Sequence, residues 1–155
     1  MSKYRNYIYV FSYVIIFLLL GCSPKDYKNV SHENQYKSAL GAEFKTNADL
    51  LGIGVTFDSS YKQNVDYVFI TPKPGFTGPE VLFRKRVPKG IKFTVVGILI
   101  SDRLFNNRLF YEIKFMDDNL FEEYTVIVKV FDDINNQNKG LNVDDFEYLR
   151  NNNIP

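Results

Sequence analysis

The sequence has 155 residues, of which 19 are Lys or Arg and 18 are Asp or Glu, so its formal net charge is +1. A near-neutral chain lacks the basic surplus that bulk binding of nucleic acid requires. The chain contains one Cys, which excludes a disulfide within it, so the fold must rely on a hydrophobic core.

The first 21 residues have the order of a secretory signal peptide. Lys3 and Arg5 form a positive segment, an uncharged and mostly apolar run occupies residues 7–20, and the small residue Gly21 follows. This run is shorter than the roughly 17–18 apolar residues that a membrane-spanning helix needs. An N-terminal core helix fits poorly, because the run would also be apolar on its exposed side. We therefore predict a cleaved signal peptide over residues 1–21.

The junction Leu19-Leu20-Gly21-Cys22 resembles the lipobox of bacterial lipoproteins. The resemblance covers the first two dozen residues. It implies that the thiol of Cys22 receives a diacylglyceryl group and that Cys22 becomes the first residue of the mature chain. Two acyl chains give stable membrane anchoring, whereas one chain gives marginal binding. In that family an Asp after the Cys favours the inner membrane, so Ser23 implies the periplasmic face of the outer membrane in a host with two membranes.

Residues 22–40 are polar after the Cys and show no hydrophobic periodicity. This composition is typical of a flexible tether between a lipid anchor and a folded domain. His32, which is the only His in the sequence, would be a solvated residue of this tether. A single domain is then predicted over residues 41–155.

Short runs with alternating apolar residues follow from residue 41 to residue 131, separated by Gly, Pro and Asn. The clearest are residues 91–101 and 108–116, which predict a β-hairpin with a turn at Asn106-Asn107 and a bulge or bend at Gly97. The segment from Pro88 resembles the middle of SH3-like barrels. The predicted fold is mainly β, a small antiparallel barrel or sandwich that is SH3-like or OB-like.

The C-terminal part is predicted to change from strand to helix. Residues 132–140 are a polar loop, and residues 142–149 are expected to form a short helix. Asn142 would cap this helix and Asp145 would complete a capping pair. Phe146 would then pack the helix against the strands.

No residue pattern indicates catalysis, a cofactor or a metal site. A nucleophilic site requires an imidazole beside a nucleophile, yet His32 lies in the predicted tether and Cys22 would carry lipid. The loop from Asp133 places Asn138 and Asp144 where a calcium-binding EF-hand requires Gly and Glu. Gly52-Ile53-Gly54 lacks the third Gly and the helix of a nucleotide loop, so Gly in a bent strand is the preferred interpretation. We expect a protein that is not an enzyme.

Two surfaces are candidates for binding a partner. The first contains five basic residues within nine positions, which have two interpretations: charges that protect a sheet edge, or a contact with an acidic partner or anionic lipid headgroups. The second is the loop 72–80, in which Phe76 lies between Pro and Gly residues. The five basic residues are Arg84, Lys85, Arg86, Lys89 and Lys92.

The sequence thus predicts a lipoprotein of the bacterial cell envelope that acts as a binding or interaction module. Its expected partners are the membrane, through acyl chains on Cys22, and an envelope protein. One alternative is an inhibitor or immunity-type lipoprotein, in which the basic strand or Phe76 would enter an acidic cleft. A cell-wall hydrolase is another alternative, for which the chain offers no recognisable set of catalytic residues.

Overall fold

The computed structural model describes residues 27–57, 60, 64–101, 108–116 and 120–151. The predicted signal peptide, Cys22 and the Asn106-Asn107 turn lie outside these ranges. Among the described residues, no helix is long and apolar enough to cross a bilayer. The described strands are β1 Tyr27–Asn29, β2 Ala42–Thr46, β3 Leu50–Val55, β4 Tyr67–Pro72, β5 Val81–Val87, β6 Lys92–Ser101, β7 Leu109–Phe115, β8 Val126–Lys129 and β9 Phe146–Asn151.

These strands form one mixed sheet in the order β5-β3-β4-β8-β7-β6-β2-β9, and β1 pairs with the free part of β6. The pair β4–β8 is parallel, whereas β6 and β7 form the antiparallel hairpin that the sequence predicts. The prediction of a mainly β fold is confirmed. The sheet is open and mixed rather than a closed antiparallel barrel, because β5 and β9 end the strand order without pairing with each other.

The chain connections force this sheet to curl. Strands β2 and β3 lie five places apart in the sheet, yet residues 47–49 alone connect them. In a flat sheet, five spacings of about 4.8 Å would separate them by about 24 Å. The four Cα–Cα steps from Thr46 to Leu50 reach at most about 15 Å. The two ends of the sheet must therefore approach each other.

The curled shape is fixed at a corner formed by residues 46–49 and 88–91, the two short connections between the ends of the sheet. Thr46 lies at its centre and is fully buried. Its Oγ1 donates a hydrogen bond to the carbonyl oxygen of Pro88 at 2.8 Å and accepts one from the amide of Ile91 at 3.0 Å. The backbone amide of Gly90 also donates to the carbonyl oxygen of Thr46 at 2.8 Å. The side chain of Thr46 thus links the two short connections to each other.

The inner face of the curled sheet carries the main hydrophobic core. Phe93 on β6 is fully buried at its centre. Its ring stacks on that of Phe44, with centroids 5.5 Å apart, and meets the edges of Phe146 and Phe115 at 5.7 and 6.2 Å. These contacts join β2, β6, β7 and β9 through aromatic packing.

A β-bulge divides the long strand β6 into two halves. The register with β7 shifts between Val95 and Gly97, so Val96 is the extra residue and is 50% exposed. Because a bulge reverses the alternation of side chains, Ile98 joins the inner core while Leu99 lies on the outer face. The bulge predicted at Gly97 is confirmed.

Residues 27–40, which the sequence predicts as part of a flexible tether, are packed on the sheet. Strand β1 pairs with the second half of β6. Val30 is 1% exposed, and its amide donates a hydrogen bond to the carbonyl oxygen of Ile98 at 2.9 Å. The hydroxyl of Ser31 accepts a bond from the amide of Ile98 at 2.8 Å. The tether prediction is wrong for this range, although His32 is exposed as expected.

The predicted C-terminal helix is also wrong, because residues 146–151 form strand β9 on the edge of β2. The expected N-cap contact does form: the side-chain oxygen of Asn142 accepts a hydrogen bond from the backbone amide of Asp144 at 3.1 Å, and its side-chain amide donates to the Asp145 carboxylate at 3.0 Å. It closes a single turn, after which pairing with β2 takes over. Phe146 is buried beside Phe93, and Arg150 pairs with the buried Glu43 at 2.7 Å. Tertiary contacts therefore override the local helix signal.

Replacing Thr46 with Val tests the corner. The change keeps the shape of the side chain but leaves the Pro88 carbonyl and the Ile91 amide without their partner. We expect the free energy of unfolding to fall by about 1–3 kcal/mol, measured by urea denaturation. Thr94→Val, at a half-buried position opposite Lys114, is the matched control and should change stability little. Equal effects of the two substitutions would contradict the role of the corner.

Gly52→Ala tests why Gly occupies strand β3. A Cβ at Gly52 would overlap the ring of Phe121, as one at Gly54 would overlap Phe83. We expect Gly52→Ala to lower the free energy of unfolding by about 1–3 kcal/mol through overpacking. Gly78→Ala is the control, because the atoms nearest to its Cβ would belong to the flexible carboxylate of Glu80. A stable Gly52→Ala protein would refute this explanation.

Candidate ligand-binding site

The outer face of the sheet is apolar over its central strands. On β4, Val68 and Ile70 point to the inner core, so the alternate residues Tyr67 and Phe69 lie on the outer face. They pack with a second buried cluster of Leu99, Phe110 and Ile127. The central strands are therefore hydrophobic on both faces, which is typical of a sheet that is covered on both sides.

Aromatic rings from several separate segments meet on this outer face. Tyr27 on β1 contacts Tyr67 and Phe110 with ring centroids 4.9 and 5.2 Å apart. Phe69 contacts Phe110 at 6.0 Å and Phe76 at 5.9 Å. These rings form an outer aromatic cluster of Tyr27, Phe57, Tyr67, Phe69, Phe76 and Phe110.

A cavity of about 660 Å³ lies in this cluster. Phe69 and Phe110 line it from the sheet, Tyr27 and Phe57 line it from one side, and Phe76 lines it from the loop 73–80. Its volume falls within the range of about 300–1,000 Å³ that is usual for sites of small ligands. The cavity is large enough to accommodate an organic molecule.

The loop 73–80 is held over the outer face by two contacts. Gly75, at φ +74°, lies so close to Ile53 that an added Cβ would be 2.6 Å from the Cδ1 atom of that residue. The guanidinium of Arg84 donates a hydrogen bond to the carbonyl oxygen of Phe76. Phe76 is thereby positioned at the cavity while 38% of it remains exposed.

Charged groups occupy different sides of the cavity. Arg108 and Lys129 line it beside Phe110, since Lys129 is the register partner of Phe110 and Arg108 lies two residues before it. Glu80 lies towards β3, where its carbonyl oxygen accepts a bond from the amide of Thr56 at 3.0 Å. The cations are therefore on the β7–β8 side of the cavity.

Asp145 also lines the cavity and is buried. Burial raises the pKa of its carboxyl group, and the hydrogen bond from Asn142 opposes that rise. The contact with Asn142 belongs to the single turn before β9. The carboxylate of Asp145 is thus already hydrogen-bonded to Asn142 of the same chain.

The predicted basic surface does not form one site. Arg84, Lys85 and Arg86 are exposed on β5, which is an end strand of the described sheet. Arg86 pairs with Asp49 at 2.7 Å, and the ammonium of Lys85 lies 5.4 Å from the ring centroid of Phe121. These contacts anchor the strand to its own chain.

The two remaining basic residues lie beyond the end of β5, and Lys89 is close to Arg86 because both contact Asp49. The backbone amide of Lys89 donates to the carboxylate of Asp49 at 3.1 Å. Lys92 lies opposite Lys45 on β2, and Lys45 is paired with Glu147 at 2.7 Å. Of the residues predicted to bind a partner, the structure places Phe76 in the cavity and Arg84 next to its loop.

The other rings of the cavity were missed by the sequence analysis. One signal was available, because Phe110 falls on the otherwise polar side of the alternating strand 108–116, together with Glu112 and Lys114. The segment 66–71 is likewise apolar at consecutive positions. Both features indicate that the second face of the sheet is covered.

Comparisons with known proteins found no matching protein family, no similar curated protein and no similar solved structure. Within the described ranges, no group of three or more His, Cys, Asp and Glu residues could hold a metal ion. The chemistry of the cavity must therefore be interpreted from its own residues.

The contact between Arg86 and Asp49 gives a pH prediction. The hydrogen bond from Arg86 is the main cause that lowers the pKa of Asp49. The stabilisation from this contact is present above the unfolded pKa and is lost as the pH falls through the lower folded pKa. We expect Arg86→Ala to raise the pKa of Asp49 towards 3.8, measured by NMR titration of the carboxyl carbon.

Lys73→Ala is the control for this titration. Lys73 lies 3.9 Å from Asp49 and is the weakest of the causes that shift its pKa. Lys73→Ala should therefore raise the pKa of Asp49 less than Arg86→Ala does. A larger effect of Lys73 would show that the Arg86 contact does not form in solution.

Proposed function

We propose that this chain is a non-enzymatic binding module of the bacterial cell envelope, anchored by lipid on Cys22. Its ligand occupies the aromatic cavity on the outer face of the sheet. The lipobox-like junction before Cys22 supports the anchor and the envelope location. The cavity supports the binding activity, and the two arguments are independent of each other.

The observation that carries the binding activity is that the aromatic rings are gathered but incompletely covered. Phe131 and Phe76 at the cavity are 60% and 38% exposed, and Tyr27, Phe57 and Phe69 are half-buried. Apolar surface that stays in contact with water gains free energy when a ligand covers it. A concave site with several such rings and a few charged groups is the usual form of a ligand pocket.

The basic strand gives less support to the alternative of an enzyme inhibitor. That hypothesis requires the cations to enter an acidic cleft of a partner. Arg86 and Lys85 already contact Asp49 and Phe121 of the same chain. Breaking these contacts would offset part of the free energy of binding.

A fluorescent probe tests the binding activity. Mature protein from residue 22, with Cys22→Ser, would be titrated with anilinonaphthalene sulfonate, whose emission increases in apolar sites. We expect saturable binding, and we expect Phe76→Ala to weaken it about tenfold, which corresponds to about 1.4 kcal/mol. Val143→Ala removes an apolar side chain that is 65% exposed and does not line the cavity. This control should bind like the unsubstituted protein.

Cooperative unfolding of each variant must be checked, because partly unfolded proteins also bind this dye. Absence of saturable binding by the folded protein would overturn the proposed function. An equal loss in Phe76→Ala and Val143→Ala would mean that the dye binds elsewhere.

A further inference from the structure

We infer that the ligand of this cavity is an acyl chain with an anionic headgroup, taken up at the membrane surface. The inference deepens the proposed function and rests on it, because it assumes that Cys22 carries the lipid anchor. It follows from the position of the cavity, the arrangement of its rings and the distribution of its charges.

The cavity lies close to the anchor. Tyr27 is the first described residue and also lines the cavity. Only residues 23–26 separate it from Cys22. At no more than about 3.3–3.6 Å per residue, Tyr27 is within about 18 Å of Cys22. Because residues 27–40 are packed on the sheet, the domain is held next to the lipid headgroups instead of on a long tether.

The rings form a cleft rather than a flat platform. Tyr27 and Phe110 are inclined at 85° to each other, Phe69 and Phe110 at 81°, and Phe69 and Phe76 at 84°. Stacking of planar bases requires an exposed ring face. Rings that meet edge to face present an uneven apolar surface to the cavity, which suits a flexible aliphatic chain better than a planar base. The buried side chains of Leu99 and Ile127 pack in the same cluster as Phe110.

The cations define where the headgroup would lie. Arg108 and Lys129 flank Phe110 on the β7–β8 side, and the ammonium of Lys129 is 4.5 Å from the ring centroid of Phe131. Carboxylate or phosphate oxygens accept charge-assisted hydrogen bonds from such groups. Glu80 lies on the opposite side, towards β3. The headgroup is therefore placed near Lys129, with the chain running over Phe69 towards Phe76.

Two sources could supply this acyl chain. One is a separate amphiphile of the bilayer, such as a fatty acid or a phospholipid. The other is the diacylglyceryl group on Cys22 itself, which is near enough to fold back onto the cavity. Both sources supply acyl chains, but the diacylglyceryl group has no anionic headgroup, so its presence in the cavity would contradict a headgroup at Lys129. The experiment below distinguishes the two sources.

The test uses dansylated undecanoic acid as the probe and the mature chain with Cys22→Ser. We expect saturable binding that lauric acid displaces. We expect Lys129→Gln to weaken binding of the acid roughly three- to fivefold and to leave binding of its methyl ester unchanged. Lys114→Gln, an exposed position on β7 that does not line the cavity, is the matched control and should have no effect.

The outcomes separate this inference from the proposed function. Saturable binding of anilinonaphthalene sulfonate without binding of the fatty acid would overturn the acyl ligand and leave the binding module standing. Failure of both probes would overturn both proposals. Equal binding of acid and ester by every variant would refute the placement of the headgroup at Lys129.

The source is then determined with the lipidated chain in phosphatidylcholine nanodiscs. The sequence has no Trp, so energy transfer from Tyr to the dansyl group reports the bound probe. Less transfer in the lipidated chain than in the Cys22→Ser chain would identify the protein's own anchor as the occupant and would overturn the anionic headgroup. Equal transfer would identify a separate amphiphile as the ligand and would support the inference.

Discussion

The hydrogen bonds of Thr46 are the constraint on which the rest of this structure depends. Residues 47–49 and 88–91 each connect strands that lie five places apart in the sheet. Connections this short can join those strands only if the sheet curls. The buried hydroxyl of Thr46 hydrogen-bonds the first connection to the second. The curl in turn brings Phe44 and Phe93 into the same core as Leu50 and Val87, from opposite ends of the strand order. The core and the corner therefore stabilise each other.

The cavity is a consequence of what is added to the outside of this curled sheet. The outer side of a curled sheet is convex, so its strands alone would not enclose a ligand. The walls come instead from segments that lie on it: Tyr27 from β1, Phe57 after β3, and Phe76 from the loop 73–80. The bulge at Gly97 contributes as well, because it directs Leu99 to the outer face beneath these rings. The first of these segments is also the one nearest to Cys22, which joins the site to the predicted anchor.

The alternation of side chains within one strand was predictable, whereas the pairing of distant segments was not. Residues 91–116 contain their own evidence for a hairpin and a bulge, because the apolar period and Gly97 are local features. Strand β9 was predicted as a helix because the bond that the side-chain oxygen of Asn142 accepts from the amide of Asp144 occurs both in a helix cap and in an isolated turn. Strand β1 was hidden in the polar segment 27–40, in which Val30 and Ala39 are the two buried residues. The cavity combines rings from segments far apart in the sequence, so no local pattern could indicate it.

The central claim is that the aromatic cavity is a lipid-facing site next to the anchor, and paramagnetic relaxation tests it most directly. The lipidated mature chain would be placed in nanodiscs that contain doxyl-labelled stearic acid, and the broadening of its NMR signals would be measured. The account predicts the strongest broadening at the ring protons of Tyr27, Phe69 and Phe110, with little at Val143 and Gly90. Broadening that is strongest along Arg84–Arg86, with the rings unaffected, would contradict a lipid-facing cavity. It would show instead that the basic strand β5 contacts the membrane.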